Sequence, residues 1–215
     1  MDTLTLEDRA AALLAELAGP DADFRPHQLE AVRDLVQDRA RVLCVQRTGW
    51  GKSAVYFLAT ALLRERGAGP TLIVSPLLAL MRNQIDAAQR AGIRAATVNS
   101  ANTADWESTY DAVEAGEVDL LLVSPERLNN PGFRDEVLPG LAAACGLLVV
   151  DEAHCISDWG HDFRPDYRRI VRVLDLLPAG APVLCTTATA NDRVVQDVVA
   201  QLGQDIRVLR GPLDR

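Results

Sequence analysis

Five short stretches of this 215-residue sequence are apolar almost throughout their interior. They are Val42-Leu43-Cys44-Val45, Thr71 to Ser75, Asp119 to Ser124, Leu147-Leu148-Val149-Val150 and Val183 to Thr187. A strand with one wet face alternates apolar and polar residues; these do not, so they read as strands buried on both faces. Ala95 to Asn99 and Ile206 to Leu209 read as further short strands. Between them run segments with helical spacing. The alternation predicts an α/β fold, a mostly parallel central sheet with helices on both faces.

The helical segments have clear edges. Residues 4–17 place Leu6, Ala10, Leu13 and Leu17 on one face and stop at Gly19-Pro20. Pro26 opens a second helix with an apolar stripe of Leu29, Val32 and Val36. Residues 54–63 are apolar enough for a buried helix. Pro76 opens one carrying Leu77, Leu80, Met81 and Gln84. Residues 103–115 form one on Trp106, Tyr110 and Val113, aromatics that read as core. Asn129 to Gly132 is a loop, and residues 155–166 are a polar loop with interleaved aromatics. Ile170, Val171, Leu174 and Leu177 mark another helix. Asn191 or Asp192 caps the last. The organisation expected is an N-terminal helix over 1–20 and a single α/β lobe over 21–215.

Net charge is −8, which argues against a general electrostatic grip on nucleic acid. Four cysteines lie far apart with no C-x-x-C spacing, so no zinc site is expected and buried thiols in a reducing cytoplasm are. No apolar run approaches the roughly 20 residues that span a bilayer, and the acidic N-terminus is not a secretory signal, so no membrane partner is expected.

In a parallel sheet ligands bind beyond the carboxyl ends of the strands, and five polar motifs fall there. The first is Gln46-Arg47-Thr48-Gly49-Trp50-Gly51-Lys52-Ser53, between a strand and a helix. Gly49 and Gly51 let backbone approach phosphate oxygens. The helix N-terminus offers unpaired N–H groups, Lys52 reaches the outer phosphates, and the Ser53 hydroxyl suits Mg²⁺. The usual pattern has glycine where this chain has Gln46, so for that stretch alone an ordinary strand–helix turn stays open. Asp151-Glu152 follows another strand. Asp151 would hold Mg²⁺ through water, and Glu152 would orient the attacking water; the alternative is a solvated acid pair. His154 beside them is a relay or a hydrogen-bonded structural histidine. Ser75-Pro76 and Ser124-Pro125 place hydroxyls at helix starts, to cap them or to meet phosphates. Trp159, Phe163 and Arg164 can stack bases of a single strand or plug the core beneath their loop. Gln28 is a solvated helix residue or an amide for the edge of adenine.

In this order, Phe24-Arg25-Pro26-His27-Gln28, Thr48 to Ser53, Ser75-Pro76-Leu77, Ser124-Pro125-Glu126-Arg127-Leu128, Asp151-Glu152-Ala153-His154, Cys155 to Tyr167 and Thr187-Ala188-Thr189 resemble the RecQ family of superfamily 2 DNA helicases. The likeness runs from about residue 20 to the end. It implies a RecA-like P-loop NTPase lobe that uses ATP and Mg²⁺. It implies that Arg25 and Gln28 contact adenine and that Thr48, Gly49, Trp50, Gly51, Lys52 and Ser53 hold the phosphates. It implies that Ser53 and Asp151 bind the metal, and that Lys52, Asp151 and Glu152 carry catalysis. Ser75, Ser124, Arg127, His154, Trp159, His161, Phe163, Arg164, Thr187 and Thr189 would bind DNA or couple it to hydrolysis. The implied partners are single-stranded DNA and duplex junctions, and the implied activity is 3′–5′ translocation with unwinding. A nucleotide-gated binding module that does not translocate, or an RNA-directed helicase, are the competing readings.

Two positions depart from the family: Asp21 stands where an aromatic packs on adenine, and Trp50 stands in place of glycine, where it would crowd the nucleotide or a facing lobe. The chain stops at Leu213-Asp214-Arg215, so it reads as the first helicase lobe only. The second lobe, whose arginines complete the ATP site, is missing from this chain, and weak activity is expected of it alone. The spatial expectation is that Lys52 and Asp151 end on neighbouring strands and share one magnesium-triphosphate.

Overall fold

The computed structural model describes residues 4–76, 82–98, 102–157, 165–188, 191–203 and 205–212, apart from the side chains of Asn83, Gln84 and Pro165. Among the described residues there are seven strands: β1 (Arg41–Val45), β2 (Thr71–Val74), β3 (Ala95–Val98), β4 (Leu120–Val123), β5 (Leu147–Val150), β6 (Val183–Thr187) and β7 (Ile206–Arg210). They form one sheet in the order β3-β4-β2-β5-β6-β1-β7, with every neighbouring pair parallel. The helices are α1 (Leu6–Ala18), α2 (Gln28–Val36), α3 (Lys52–Glu65), α4 (Arg82–Arg90), α5 (Trp106–Glu114), α6 (Leu138–Ala144), α7 (Arg168–Leu176) and α8 (Asp192–Leu202).

The two-sided burial read from the sequence is visible residue by residue. Val42 and Cys44 of β1, Ile73 of β2 and Leu147 and Val149 of β5 face one core with α1, α2, α3 and α4. Leu43, Val45, Leu72, Val74, Leu148 and Val150 face the other, with α5, α6, α7 and α8. Strict alternation across a fully apolar strand supplies both cores at once. Each of these side chains contributes roughly 1.5–3 kcal/mol by leaving water. Two loops also meet backbone to backbone. A side chain on Gly69, before β2, would collide with the Ala144 carbonyl, and one on Gly146, before β5, with Gly69 itself.

One region differs from expectation. Phe133–Val137 forms a π-helical turn that runs into α6. The sequence reading assigned no element between Gly132 and Leu147. Pro139 lies in the first turn of α6, where the missing N–H would have had no partner anyway. The helix start expected at 77–81 lies outside the described residues.

Candidate nucleotide site

The chain leaves β1 at Val45 and enters α3 at Lys52 through a turn that only glycine adopts without strain. Gly49 has φ 81° and Gly51, the N-cap of α3, has φ 89°. The first turn of α3 carries no acid, so its N–H groups and dipole face the turn uncompensated. Lys52 Nζ donates to the Gln46 carbonyl at 3.2 Å. Gln46 does not disturb the turn. Its side chain is buried and Nε2 donates to the Leu209 carbonyl of β7 at 3.4 Å, which stitches the turn to the sheet edge.

Asp151 follows β5 and is the most engaged carboxylate at this rim. Ser75 Oγ donates to its Oδ2 at 3.0 Å, and Thr186 Oγ1 donates to its Oδ1 at 2.7 Å. The Tyr167 hydroxyl donates to its backbone carbonyl at 2.9 Å. Burial still pushes the Asp151 carboxyl upward, helped by the neighbouring charge of Glu152, against the two hydroxyls and Lys52. Glu152 moves the other way: the hydrogen bond from His154 and the charge of Lys52 hold it below the ordinary range. Its backbone is left-handed at φ 53°, a strained conformation for a non-glycine residue and one found at functional sites. His154 Nδ1 lies 2.9 Å from Thr187 Oγ1 and 3.2 Å from Glu152 Oε2. The Cys155 sulfur and the Glu152 carboxylate raise His154 to about 9, so it is an imidazolium at neutral pH.

Lys52 and Asp151 therefore lie within each other's field, but they are not on neighbouring strands. β6 separates β5 from β1. This corrects the expectation, and the reason is chemical: β6 delivers Thr186 and Thr187 between the two motifs, one to Asp151 and one to His154. Thr186 was not singled out in the sequence. A threonine near the end of an otherwise apolar strand was the available signal. Tyr56 of α3 ties the halves together, since its phenol is hydrogen-bonded to Ser53 and senses the charge of Asp151.

The remaining expected site residues divide. Ser75 is fully buried against Asp151, so it faces the acid pair rather than a DNA strand. The Ser124 hydroxyl does not cap the turn Pro125–Asn129, which argues against the capping alternative. Arg127 is only 7% exposed. Its guanidinium carbon sits 3.4 Å from the Trp106 ring centroid and 5.1 Å from that of Phe133, and Nη2 donates to the Tyr110 hydroxyl at 3.4 Å. Arg127 is a staple between α5 and the turn, not a side chain presented to a partner. Trp50 is 6% exposed and packs into the core beside α3, its indole N–H donating to the Pro26 carbonyl at 3.0 Å. Its ring is buried in that core and borders the cavity beside the turn. Trp159, His161, Phe163, Arg164 and Thr189 lie outside the described residues.

Gln28 is not the solvated helix residue that the sequence left open. It is 3% exposed. Its Oε1 accepts the Arg25 N–H at 2.8 Å, and its Nε2 donates to the carbonyls of Trp50 at 2.9 Å and Gly51 at 3.2 Å. Arg25 Nη1 donates to the Gly49 carbonyl. Both residues hold the phosphate-loop backbone. Beside them lies a cavity of about 380 Å³ lined by Arg25, Pro26, His27, Arg47 and Trp50.

The donor set fits Mg²⁺. A Ser53 hydroxyl and an Asp151 carboxylate are hard oxygen ligands, and a cation would relieve the raised acid.

The ATP-dependent DNA helicase RecQ of Bacillus subtilis is 40% identical over 197 residues, covering 90% of this chain and 32% of its own length. The ATP-dependent helicase SGS1 of Saccharomyces cerevisiae is 36% identical over 182 residues, covering 83% of this chain and 12% of its own length. The chain thus spans a third or less of these curated relatives. Among solved structures, the Hef helicase domain of Pyrococcus furiosus has a TM-score of 0.63 at 19% identity, over 86% of this chain and 38% of that one. DEAD-box helicase Mss116 bound to ssRNA and UDP-BeF has a TM-score of 0.69 at 15% identity, over 97% and 46%. These likenesses show the same fold, the RecA-like α/β domain of helicases. The family profile described as DEAD/DEAH box helicase matches residues 25–198, from the Arg25 turn to α8. The chain belongs to the DEAD/DEAH box helicase family, and its curated relatives there are RecQ DNA helicases.

Proposed function

We propose that this chain is the ATP-binding lobe of a RecQ-like DNA helicase, which couples ATP hydrolysis to 3′–5′ movement on single-stranded DNA and to duplex unwinding. The observation that carries the reading is the shared field of Lys52, Asp151 and Glu152 at one rim of the sheet. A phosphate-loop lysine and a strand-end acid pair within one field fit a nucleoside triphosphate and little else.

In this reading Gly49, Gly51 and the first N–H groups of α3 hold the phosphates, with Lys52 on the outer ones. Ser53 and Asp151 would hold Mg²⁺, which when bound would supply positive charge against the phosphate oxygens. Glu152, kept ionised by His154 and Lys52, accepts a hydrogen bond from the attacking water and takes its proton. Thr187 joins His154 to the end of β6, so a shift at the acid pair reaches the segment after it. Thr189 and the aromatic stretch Trp159 to Arg164 would carry that shift to the DNA strand, with Ser124 on a phosphate. A second lobe would complete the site.

The test is ATP turnover by the protein containing this lobe, with and without single-stranded DNA. Lys52→Ala is expected to abolish turnover, and Glu152→Gln to stop hydrolysis while ATP still binds. Normal hydrolysis by Glu152→Gln would remove Glu152 from the role of base. Stimulation by RNA but not DNA would favour the RNA-directed reading. Turnover indifferent to any nucleic acid would favour a non-translocating module.

A further inference from the structure

Three neighbouring helices over one core, α5, α6 and α7, carry opposite charge at their two outer edges. α5 presents Glu107, Asp111 and Glu114, all exposed and on one stripe at spacings of four and three residues. It holds no basic residue, so these acids are unrelieved along the helix. Glu114 even stands in the last turn, where the helix dipole disfavours an acid. Arg64 and Arg94 reach the Gly116 carbonyl just beyond, but Asp119 holds both. α7 is the reverse, with Arg168, Arg169 and Arg172 against one acid, Asp175. Arg168, Arg172 and Leu176 are exposed at four-residue spacing. Leu176 is 41% exposed, one of three large apolar side chains so exposed among the described residues. α6 packs on α7 and turns outward only Pro139, Gly140, Ala143 and Ala144, all small and uncharged. Between α6 and α5 lies a groove of about 360 Å³ with Tyr110, Val113, Val137 and Leu141 in its walls and Glu114 and Glu136 on its rim. No basic side chain lines it. Arg134 and Asp135, in the turn before α6, pair with each other.

We infer that this face binds the same face of a second copy of the chain, in a two-fold dimer. The complement of each feature lies on the one face: bases for the acids, and an exposed leucine for an apolar groove. Each of the three helices crosses between parallel strands, so all three run in one direction. A two-fold axis along that direction, through α6, lays α5 of one copy beside α7 of the other, parallel to it, and does so twice. In that register Arg168 and Arg172 face Glu107 and Asp111 of the other copy, and Leu176 enters its groove beside Glu114. A two-fold axis across the helices would instead set α5 against α5, acid on acid. α6 meets α6 without charge, and its small side chains let the two backbones approach closely. α5 and α7 have nine residues each and are about 13 Å long, and three helices about 10 Å apart span about 30 Å. The face is thus about 400 Å² per copy, below the roughly 800 Å² of a standard interface. The dimer is therefore weak, concentration-dependent and weakened by salt.

The experiment is sedimentation of this chain from micromolar to near-millimolar concentration. At low salt the mass is expected to rise reversibly to that of two copies, and about 0.5 M NaCl to return it to one. Asp111→Arg and Arg172→Asp should each give a monomer, because each sets like charges together at both contacts. An equal mixture of the two variants should form a dimer again, since both contacts of the mixed pair are then opposite in charge. Urea unfolding with the wild-type slope shows that each variant is folded. If either is not, Leu176→Gln replaces it and should weaken association roughly tenfold or more; unchanged association would overturn the inference. A wild-type monomer at every concentration, a mixture that stays monomeric, or a mass that grows past two copies would overturn it too, because a two-fold contact closes.

Discussion

Asp119 anchors the far end of the phosphate-loop helix, and its removal should loosen the lobe in a pH-dependent way. The carboxylate precedes β4 and collects four donors. Arg64 Nε, in the last turn of α3, reaches Oδ1 at 2.9 Å. Arg94 gives Nη2 to Oδ1 at 2.8 Å, and Nε and its backbone N–H to Oδ2 at 3.0 and 2.9 Å. Burial works to raise its pKa, but the Arg94 and Arg64 hydrogen bonds outweigh it and hold the acid at about 2. Against an ordinary value of 3.8 that shift corresponds to about 2.4 kcal/mol. Arg94 is about half exposed, so solvent screening reduces this to about 1–2 kcal/mol. The folded-state pKa is depressed, so the stabilisation is fully present above pH 3.8 and fades as pH falls towards 2, about half of it gone by pH 3. The assay is urea unfolding of wild type and Asp119→Asn across that range. Wild type should be the more stable at pH 7 by about 1–2 kcal/mol, and the gap should close by pH 2. A gap that is absent at pH 7, or that persists undiminished at pH 2, would refute the reasoning.

Three further outcomes follow from single contacts. Thr186→Val removes the 2.7 Å hydrogen bond to Asp151, a charge-assisted bond of about 1.5–3 kcal/mol, so the Mg²⁺ needed for half-maximal nucleotide binding should rise roughly tenfold; an unchanged Mg²⁺ requirement would mean that Thr186 does not organise the acid. Trp50→Phe keeps an aromatic core residue but loses the bond to Pro26, and should destabilise by about 1 kcal/mol in urea while weakening nucleotide binding; tighter binding would restore the crowding reading. Arg127→Leu should lower stability by about 1–2 kcal/mol through loss of its position over Trp106, with nucleotide binding unaffected; normal stability with reduced DNA stimulation would make Arg127 a DNA contact after all.

What the sequence made legible depended on whether a residue's choice of partner was forced. Leu120, Leu121 and Leu122 in succession, cut short by Asp119 and Ser124, leave no wet face in a run too short for a buried helix, and they form a strand paired on both sides. Gly51-Lys52-Ser53 after β1 and Asp151-Glu152 after β5 were legible because glycine conformation and paired charge leave few alternatives. Gln28 was not, because a neutral amide suits solvent, a base edge or a backbone carbonyl equally well, and only the fold shows it buried against the phosphate loop. Ser75 offered the same ambiguity, a hydroxyl that suits a phosphate or a carboxylate. Trp50 was read from a position usually held by glycine, whereas its core neighbours on α2 and α3 decide where it points. The strand between Lys52 and Asp151 was invisible for a different reason. Strand order is a property of crossovers, and no local pattern encodes it.

The central claim is that the turn after β1 and the acid pair after β5 make one magnesium-nucleotide site. Lys52 is the only lysine in the sequence, so an amine-directed reagent followed by peptide mass spectrometry reports on that side chain alone, apart from the N-terminal amine. Labelling of Lys52 should fall sharply when ADP and Mg²⁺ are added together, less with ADP alone, and Asp151→Asn should abolish the Mg²⁺-dependent part of the protection. Lys52 labelling that is the same with and without nucleotide, or protection that ignores Asp151, would contradict the account.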